Sequence, residues 1–393
     1  MPKKKLVIIT SHPIQYNAPV FKILSERGKV DFKVFYTWGV TALENKFDPG
    51  FGKIVKWDIP LLEGYNYEFL NNTAKVKGSD HFRGIINPHI IKQIDAYGPD
   101  AIMVFGWAFQ SHLKVLRHYN QKKLILFRGD STLLDKSTYI YRQIRTLFLK
   151  WIYTHIDCAL YVGSNNLRYF KRMGLQENQL YYAPHAIDNE RFSGSAEENE
   201  TKALELRKGM GIQPGEIVFL YAGKLEEKKD VKLLLQTFKK YKLYERSHLV
   251  IVGNGAMEKE LKKEFRLIPS IHFIDFQNQS RMPVIYRLAD VFVLPSKGPG
   301  DTWGLAVNEA MACGRAVLVS DKCGCAIDLV DVGKNGFVFT AGDIEDLHAK
   351  LVALIELEKR GLKQMGQNSE NKIMHFSFNK FCEVTENILI YTI

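Results

Sequence analysis

The sequence is poor in cysteine, and its cysteines form no recognisable pattern. Five cysteines occur among 393 residues, and the nearest pair, Cys323 and Cys325, is separated by one residue rather than two. An odd number of cysteines without a small-scaffold spacing argues against a disulfide-stabilised secreted domain and against a zinc or redox motif. We therefore expect reduced thiols.

Long hydrophobic runs are missing as well. The apolar run from Leu6 to Ile9 is far too short for a signal peptide or a membrane span. It predicts a buried first strand, and we expect a cytoplasmic protein.

Motifs that read nucleic acid are also missing, although the chain is basic. The formal net charge is +11, which favours anionic partners such as phosphorylated metabolites or acidic lipid head groups. No basic tail and no RNA- or DNA-reading motif accompanies this charge, so we expect no nucleic-acid partner.

The first predicted strand lacks the glycine-rich turn of dinucleotide-binding enzymes. The chain continues from Ser11 as SHPIQY, where those enzymes have G-x-G-x-x-G. This argues against a dinucleotide-dependent oxidoreductase.

What is present is a regular alternation of short β-branched runs with helical patterns. A first series of runs ends near Ser164, a polar stretch spans Ser193 to Gly215, and a second series begins at Glu216. Such alternation is typical of parallel sheets. We predict an α/β protein with two Rossmann-like doubly wound domains and an interdomain cleft in which ligands bind. The runs are LVIIT, DFKVFYTW, AIMVFG, KLILFRG and CALYVGS, then EIVFLYAGK, HLVIVGNG, IHFIDF, DVFVLPS and RAVLVSD.

A basic amphipathic helix is predicted from Lys136. Ile140, Ile144, Leu147, Phe148 and Trp151 lie near one of its faces. Helices of this kind lie on membrane surfaces, but a connecting helix packed on the first sheet has the same pattern. The second interpretation is favoured because a strand follows directly.

The segment from Val293 to Asp321 carries the strongest signal for chemistry, as a strand, a Gly/Pro loop, a helix and another strand. A helix that begins near Gly304 and Leu305 would direct free backbone N–H groups at an anion. Asp301 in the loop could accept hydrogen bonds from sugar hydroxyls, or it could only cap the helix. Glu309 within the helix could bind a ribose, or it could lie on a solvated face.

Two further loops follow strands of the second series. In LYAGKLEEKKD, Gly223 ends a strand, and Lys224 and Lys229 could neutralise a diphosphate; alone, such a run is usually a solvated surface. In VGNG, the turn of Gly253, Asn254 and Gly255 suits a nucleotide site but is weak evidence by itself.

Together these segments resemble family 4 of the glycosyltransferases, whose members have the GT-B fold. Its hallmark is E-x-F-G-L-x-x-x-E, which DTWGLAVNE from Asp301 to Glu309 matches with Asp for the first Glu and Trp for Phe. The flanking PS and EAMACG also agree. The family motif G-R-L with a following Lys is matched by GKL at Gly223 and by Lys229. Lys224 therefore replaces the usual Arg, and bidentate phosphate binding is lost.

Other segments resemble the family with larger departures. CGCAID from Cys323 has Gly324 and Cys325 in place of paired glycines, and Asp328 stands where Glu is usual. In the N-terminal half, His12, Gln15 and Tyr16 occupy the acceptor-side loop, and APHAID from Ala183 resembles the interdomain turn.

The N-domain catalytic residue of the family has no clear counterpart. Members often carry a histidine after the fourth strand of that domain, where FRGDS here places Arg128 and Asp130. Arg128 is one candidate for the catalytic partner. His112 is the other, unless it is an ordinary helix histidine.

The resemblance implies an N-terminal acceptor-side domain over 1–187, a nucleotide-sugar-binding domain over 188–374, and a C-terminal helix over 375–393 that packs back on the first domain. It implies sugar transfer with retention from a nucleoside diphosphate sugar to a glycan or lipid-linked acceptor of cell-surface polysaccharide or lipopolysaccharide. Lys224, Lys229 and the backbone at Gly304 would bind the diphosphate, Glu309 the ribose, and Asp301 the donor sugar.

No cofactor is expected. The sequence offers no Asp-x-Asp metal motif in a plausible loop, so the implied reaction needs no metal. Peripheral association with the inner face of a membrane also follows from this interpretation. Two alternatives stay open, namely a nucleotide-sugar epimerase on the same fold and a binding protein that has lost activity.

Overall fold

The computed structural model describes residues 3–43, 47–48, 50–54, 56–134, 139–298 and 301–392. The chain divides into two compact units. The first unit comprises Met1–Lys46, Pro60–Pro184 and Phe378–Ile393, and the second comprises Phe47–Ile59 and His185–Ser377.

Fifteen strands are found in the described part of the chain. In chain order they are β1 (Lys5–Thr10), β2 (Asp31–Tyr36), β3 (Phe47–Asp48), β4 (Lys53–Ile54), β5 (Tyr67–Phe69), β6 (Ala101–Phe105), β7 (Leu124–Arg128), β8 (Cys158–Tyr161), β9 (Leu180–Tyr182), β10 (Ile217–Ala222), β11 (Ser247–Val252), β12 (Ile271–Ile274), β13 (Val291–Leu294), β14 (Ala316–Ser320) and β15 (Gly336–Phe339).

Fifteen α-helices connect or follow these strands within the described ranges. They are α1 (Ala18–Arg27), α2 (Ile90–Tyr97), α3 (Gln110–Tyr119), α4 (Tyr139–Tyr153), α5 (Ser164–Arg172), α6 (Asn189–Ser193), α7 (Ala196–Gly209), α8 (Val231–Lys240), α9 (Glu258–Phe265), α10 (Met282–Arg287), α11 (Leu305–Ala312), α12 (Ala326–Leu329), α13 (Ile344–Glu356), α14 (Glu358–Ile373) and α15 (Phe378–Thr392).

Each unit is built on one parallel sheet, as the alternation of runs predicts. The first sheet has the order β5-β2-β1-β6-β7-β8-β9 and the second β12-β11-β10-β13-β14-β15. Both orders reverse direction beside their first strand, as doubly wound folds do. The predicted α/β class with two Rossmann-like sheets is therefore confirmed.

The central strands of each sheet are buried on both faces, which explains why they are near-continuous apolar runs. In β10, all six residues from Ile217 to Ala222 are buried. In β1, the five residues from Leu6 to Thr10 are buried. Helices that cover both faces of a parallel sheet exclude water from its side chains.

The last helix, α15, packs on α1 within the first unit. Arg27 donates two hydrogen bonds of 2.7 Å to the Glu386 carboxylate, and Lys29 lies 3.3 Å from it. Burial raises the pKa of Glu386, but the hydrogen bonds from Arg27 and Lys29 outweigh it, so the net pKa is lowered. This ion pair ties the end of the chain to its beginning.

The unit boundaries differ from the predicted domains in one respect. Residues 47–59 lie in the predicted N-terminal domain but pack with the second unit. Their strands, β3 and β4, form an antiparallel hairpin of their own, and its anchors are hydrogen bonds to Asn278 and Ser280. A local sequence pattern does not report contacts between residues more than 200 positions apart. The sequence alone therefore places residues 47–59 in the same domain as the residues that flank them.

Helix α4 packs with a different face from the one predicted to be apolar. Leu149, Ile152 and Tyr153 join the core of the first unit, whereas Ile144 and Leu147 are 66% and 70% exposed. Phe148 and Trp151 are exposed as well, and the side chain of Ile140 lies outside the described residues. Helix α4 therefore packs on the core with one face and exposes apolar side chains on its outer face.

No helix in the described ranges is long and apolar enough to cross a membrane.

Candidate functional site

The second sheet places its loops around one topological switch point. Strands β10 and β13 are neighbours although β11 and β12 intervene in sequence. Ligands of open α/β sheets bind outside the carboxyl ends of the strands at such a point. Gly223 follows β10 and Ser296 follows β13, so both lie at this edge.

The glycine turn after β11 packs directly against the loop after β10. Gly253 has a φ of +135°, and a Cβ there would lie 2.0 Å from the Gly223 carbonyl oxygen. A Cβ on Gly255 would lie 2.5 Å from the Leu225 carbonyl oxygen. Only glycine permits this approach, which explains the two glycines of the VGNG turn.

Asn254 between these glycines fixes neighbouring loops. Its Nδ2 donates to Glu258 at 2.9 Å and to Asp275 at 3.0 Å, and its Oδ1 accepts from the Phe276 backbone at 2.9 Å. The side chain that we predicted to bind the donor is therefore engaged in holding the site together.

The structure brings together two predicted catalytic residues that are 72 positions apart. The Lys229 ammonium forms an ion pair with the Asp301 carboxylate, and the Ser296 hydroxyl donates to its other oxygen. Both charged side chains are mostly buried. Asp301 is not a helix cap, because the N-cap of α11 is Gly304 and no side chain caps this helix.

The loop of Asp301 is held by the segment after β14. The Gly324 N–H donates to the Asp301 carbonyl at 3.0 Å, and the Cys325 N–H donates to the Trp303 carbonyl at 3.0 Å. A Cβ on Gly324 would lie 1.6 Å from the Thr302 carbonyl oxygen. Of the paired glycines that are usual in the family at this point, CGCAID keeps Gly324. The close approach of the Thr302 backbone explains why a glycine is needed there.

Helix α11 begins at Leu305, directly after the left-handed Gly304. Glu309 lies one turn further along and is 3% exposed, so the alternative of a solvated helix face is wrong. The Tyr286 hydroxyl donates to the Glu309 carboxylate at 2.6 Å. A buried carboxylate has several lone pairs and is suited to accept hydrogen bonds from a polar ligand.

Lys224 lies at the end of β10 on the same edge. Its ammonium is 4.9 Å from the centre of the Phe51 ring. Lys224 and Lys229 therefore both belong to the segment that follows β10.

The acceptor-side residues follow β1 of the first unit. The Ser11 hydroxyl lies 2.9 Å from His12 Nδ1, and the His12 ring packs edge-on against Trp38 at 5.1 Å. His12, Gln15 and Tyr16 are all partly exposed. They lie at the carboxyl edge of the first sheet, as predicted.

His112 does not have the surroundings of a catalytic base. It is fully buried, its Nε2 lies 2.8 Å from the Thr37 hydroxyl, and its Nδ1 lies 2.9 Å from the Gly106 carbonyl oxygen. Burial lowers the pKa of His112 to about 4. These contacts favour the ordinary helix histidine over the catalytic one, because the ring is buried and both of its nitrogens have partners within the protein.

Arg128 is likewise engaged by the backbone. Its guanidinium donates to the carbonyl oxygens of Leu160, Ala183 and Pro184, and burial lowers its pKa to about 10. These contacts favour a structural role for Arg128, which joins β8 to the segment that follows β9, over the expected catalytic one. Asp130, two residues on, is partly exposed.

We call the carboxyl edge of the second sheet, with the loops of Lys224, Lys229 and Asp301, the donor edge, because the donor was predicted to bind there. Several residues at the donor edge were not predicted to take part. Ser296 and Gly324 could have been found from their position at strand ends. Tyr286 and Phe51 could not, because each meets its partner only through tertiary contact. The described residues contain no group of three or more His, Cys, Asp or Glu that could hold a metal ion.

Two Rossmann-like parallel sheets, the second with glycine turns and charged side chains at its carboxyl edge, are typical of the GT-B class of glycosyltransferases. Sucrose-phosphate synthase from Thermosynechococcus elongatus has this fold, with a TM-score of 0.73 over 99% of both chains at 17% identity. Anabaena HepE in complex with UDP and glucose matches with a TM-score of 0.69, 15% identity and coverage of 99% of this chain and 100% of that one.

The comparison of sequences points to one family within this class. The model of glycosyl transferases group 1 matches residues 203–372, which are most of the second unit. Over these residues the chain is similar to that family. The sulfoquinovosyl transferase SQD2 of Arabidopsis thaliana is 29% identical over 45% of this chain and 33% of that protein.

A lipopolysaccharide 1,2-N-acetylglucosaminetransferase of Salmonella typhimurium is 29% identical over 46% of this chain and 48% of that protein. The chain thus spans about a third to a half of the length of these two relatives.

Proposed function

We propose that the protein transfers a sugar, with retention of anomeric configuration, from a nucleoside diphosphate sugar to a glycan or lipid-linked acceptor. The observation that carries this proposal is the Lys229–Asp301 ion pair at the switch point of the second sheet. A cation and a carboxylate at this edge match the two parts of such a donor, the diphosphate and the sugar hydroxyls.

The chemistry follows from the charge that develops. When the bond between the anomeric carbon and the diphosphate oxygen breaks, the leaving group gains negative charge. Lys229, Lys224 and the first N–H groups of α11 stabilise that charge. The acceptor hydroxyl attacks from the same face, and its proton passes to the departing phosphate oxygen.

The two carboxylates have different roles in this proposal. When the diphosphate binds the Lys229 ammonium, the ion pair between Lys229 and Asp301 breaks. The Asp301 carboxylate can then accept hydrogen bonds from the donor sugar. Glu309 accepts from the ribose, and the Tyr286 hydroxyl orients its carboxylate from the other side. Because lysines carry the compensating charge, the reaction proceeds without a metal ion, and chelation of divalent cations leaves the rate unchanged.

The acceptor is proposed to lie at a membrane surface in polysaccharide or lipopolysaccharide synthesis. The named activities of relatives support this, since one acts in lipopolysaccharide synthesis and another is an alpha-monoglucosyldiacylglycerol synthase, 26% identical over 48% of this chain and 47% of that protein. The exposed apolar face of α4, with the exposed cations Arg145 and Lys150 on the same helix, suits peripheral association with anionic lipid.

The first test is a thermal-shift and calorimetric screen against UDP, GDP, ADP and their sugar conjugates. We expect one nucleotide series to raise the unfolding temperature of the wild type. The Glu309→Gln variant is expected to bind the same nucleotide more weakly because its charge-assisted hydrogen bond to the ribose is lost. The Glu245→Gln variant, which changes an exposed acid of the second unit outside the proposed contacts, serves as the control.

Each outcome decides between the remaining functions. Stabilisation by no nucleotide would refute the proposed donor site. Binding together with sugar release to an added acceptor supports the transferase, whereas conversion of the donor without an acceptor would indicate an epimerase. Binding without any turnover would indicate a binding protein that has lost activity.

A further inference from the structure

The loop of Asp301 and helix α11 are joined by a hydrogen bond between two buried side chains. The Trp303 indole N–H donates to the Asn308 side-chain oxygen at 2.8 Å. Trp303 is 3% exposed and Asn308 is fully buried. Trp303 lies two residues after Asp301, and Asn308 directly precedes Glu309. The hydrogen bond therefore connects the two segments that carry the proposed donor carboxylates.

The chain changes direction between these two residues. Gly304 is the N-cap of α11 and has a φ of +102°, so the loop and the helix meet at a left-handed residue. Because glycine permits many backbone conformations, the turn alone does not fix the direction of the loop relative to the helix. A hydrogen bond that spans the turn, from Trp303 to Asn308, restricts that direction.

Both members of the pair are also held by other parts of the second unit. The Trp303 carbonyl oxygen accepts from the Cys325 N–H at 3.0 Å, and the Trp303 ring packs against Phe376 with 6.2 Å between ring centres. The Asn308 amide donates to the His185 carbonyl oxygen at 3.2 Å. All five residues belong to the second unit. The pair is thus fixed to the body of this unit on both sides.

A buried amide in a helix is a costly choice if its task is to fill space. Asparagine is a weaker helix former than leucine, and an amide in the interior needs hydrogen-bond partners for both of its polar atoms. What the amide adds is direction, because a hydrogen bond is confined to a narrow range of angles whereas apolar contacts are non-directional. This favours a role of Asn308 in placing the loop over a role in packing alone.

We propose that Trp303 and Asn308 are positioning residues that hold the Asp301 carboxylate where the donor sugar meets it. This inference rests on the proposed function, because it takes Asp301 as the contact of the donor sugar and Glu309 as the contact of the ribose. Loss of the hydrogen bond lets the Asp301 loop shift while α11 stays in place. Affinity for the sugar part of the donor therefore falls, whereas affinity for the nucleoside diphosphate does not.

The test is calorimetry with two ligands, the nucleoside diphosphate that the wild type binds among UDP, GDP and ADP, and the sugar conjugate of that nucleotide that the wild type binds best. Trp303→Phe keeps an aromatic ring and removes the N–H donor. We expect its Kd for the conjugate to rise about tenfold, because the Asp301 carboxylate loses its hydrogen bond to the sugar, and its Kd for the diphosphate to stay within about twofold. Asn308→Leu removes the acceptor of the same hydrogen bond and should give the same pattern.

Phe376→Leu is the control for packing. Its ring packs against Trp303 but takes no part in the hydrogen bond, so this variant should lower the unfolding temperature without changing the ratio of the two Kd values. All titrations are made below the unfolding transition of each variant. Wild-type affinity of Trp303→Phe for the conjugate would overturn the inference, as would a loss of affinity for both ligands by the same factor. This comparison decides even if Asn308→Leu does not fold.

A double variant tests the link between the two residues. In a Trp303→Phe background the hydrogen bond is already absent, so Asn308→Leu should weaken binding of the conjugate no further. A second loss of similar size would overturn the inference. None of these results touches the proposed function, because the wild type still binds the nucleotide. Failure of the wild type to bind any of the three nucleotides would refute the proposed function and, with it, this inference.

Discussion

At the scale of single residues, the charged side chains at the donor edge are paired with other groups of the protein. Asp301 accepts from Lys229 and from Ser296, and Glu309 accepts from Tyr286. Buried charges without partners are costly. A donor that supplies both an anion and hydroxyl groups can replace these contacts without leaving any group unpaired.

Lys229 provides the first prediction at this scale. Lys229→Ala should lower turnover by roughly 100-fold or more, because it removes a cation from the charge that develops on the diphosphate. The free energy of unfolding should fall by roughly 3 kcal/mol, because the mostly buried Asp301 carboxylate loses its ion-pair partner. Steady-state kinetics and chemical denaturation measure the two effects.

The neighbouring Lys228 is the matched control. Its side chain is 44% exposed and lies 3.2 Å from Glu226, so Lys228→Ala should change neither quantity appreciably. Wild-type turnover in Lys229→Ala would remove Lys229 from the diphosphate site.

At the scale of elements, the glycine turn after β11 determines how close two loops lie. Gly253→Ala should destabilise the protein by about 2 kcal/mol or more, because the new Cβ meets the Gly223 carbonyl at a φ that alanine rarely adopts. Nucleotide affinity should fall as well, since the loop of Lys224 would be displaced. Denaturation and calorimetry report the two changes.

Gly209 offers the control for that substitution. It ends α7, and a Cβ there has no atom within 4 Å. Gly209→Ala is expected to leave stability unchanged or to raise it by up to about 1 kcal/mol. Equal effects of both substitutions would contradict the close-approach argument.

The contact between α15 and α1 gives a prediction with a pH dependence. Because the folded-state pKa of Glu386 is lowered, its contribution to stability is present above the unfolded-state pKa and is lost as the pH falls through the folded-state value. Glu386→Gln should lower the free energy of unfolding by roughly 2 kcal/mol at pH 7. The difference from the wild type should shrink below about pH 4.

Denaturation of both proteins across pH 3 to 7 checks this expectation, with Glu383→Gln on the exposed side of α15 as the control. A difference that does not change with pH would show that Glu386 acts through packing rather than through its charge.

At the scale of the whole molecule, the net charge of +11 and the outer face of α4 together predict where the protein works. Arg117 of α3 lies 5.6 Å from the Trp151 ring, which adds a cation beside the apolar residues. We expect binding to vesicles that contain phosphatidylglycerol and little binding to phosphatidylcholine alone, with weaker binding at high salt.

The double variant Leu147→Ser and Trp151→Ser should weaken vesicle binding at least about tenfold, because two large apolar side chains no longer enter the lipid. Leu204→Ser serves as the control, since Leu204 is 55% exposed on α7 of the second unit. Co-sedimentation measures the affinities, and unchanged binding of the double variant would refute α4 as the contact surface.

The fold and the family were predictable because their signals are local. Strands buried on both faces must be apolar along their length, and the loops that follow them carry glycines where backbones approach, as at Gly253 and Gly255. The sequence therefore indicated the α/β class, the glycosyltransferase family and the loops of the donor edge. His112 and Arg128 lie in buried hydrogen-bond networks, and the sequence could not distinguish this from a catalytic role because the same residue types serve both.

The sequence by itself determined which segments become strands and which loops lie at the donor edge, since periodicity and glycine positions are properties of a short stretch of chain. Only the tertiary structure decided the partners across that edge: Lys229 with Asp301, Tyr286 with Glu309, and Phe51 with Lys224. These pairs join residues 23 to 173 positions apart. No local pattern encodes such contacts, because they depend on how separate elements pack.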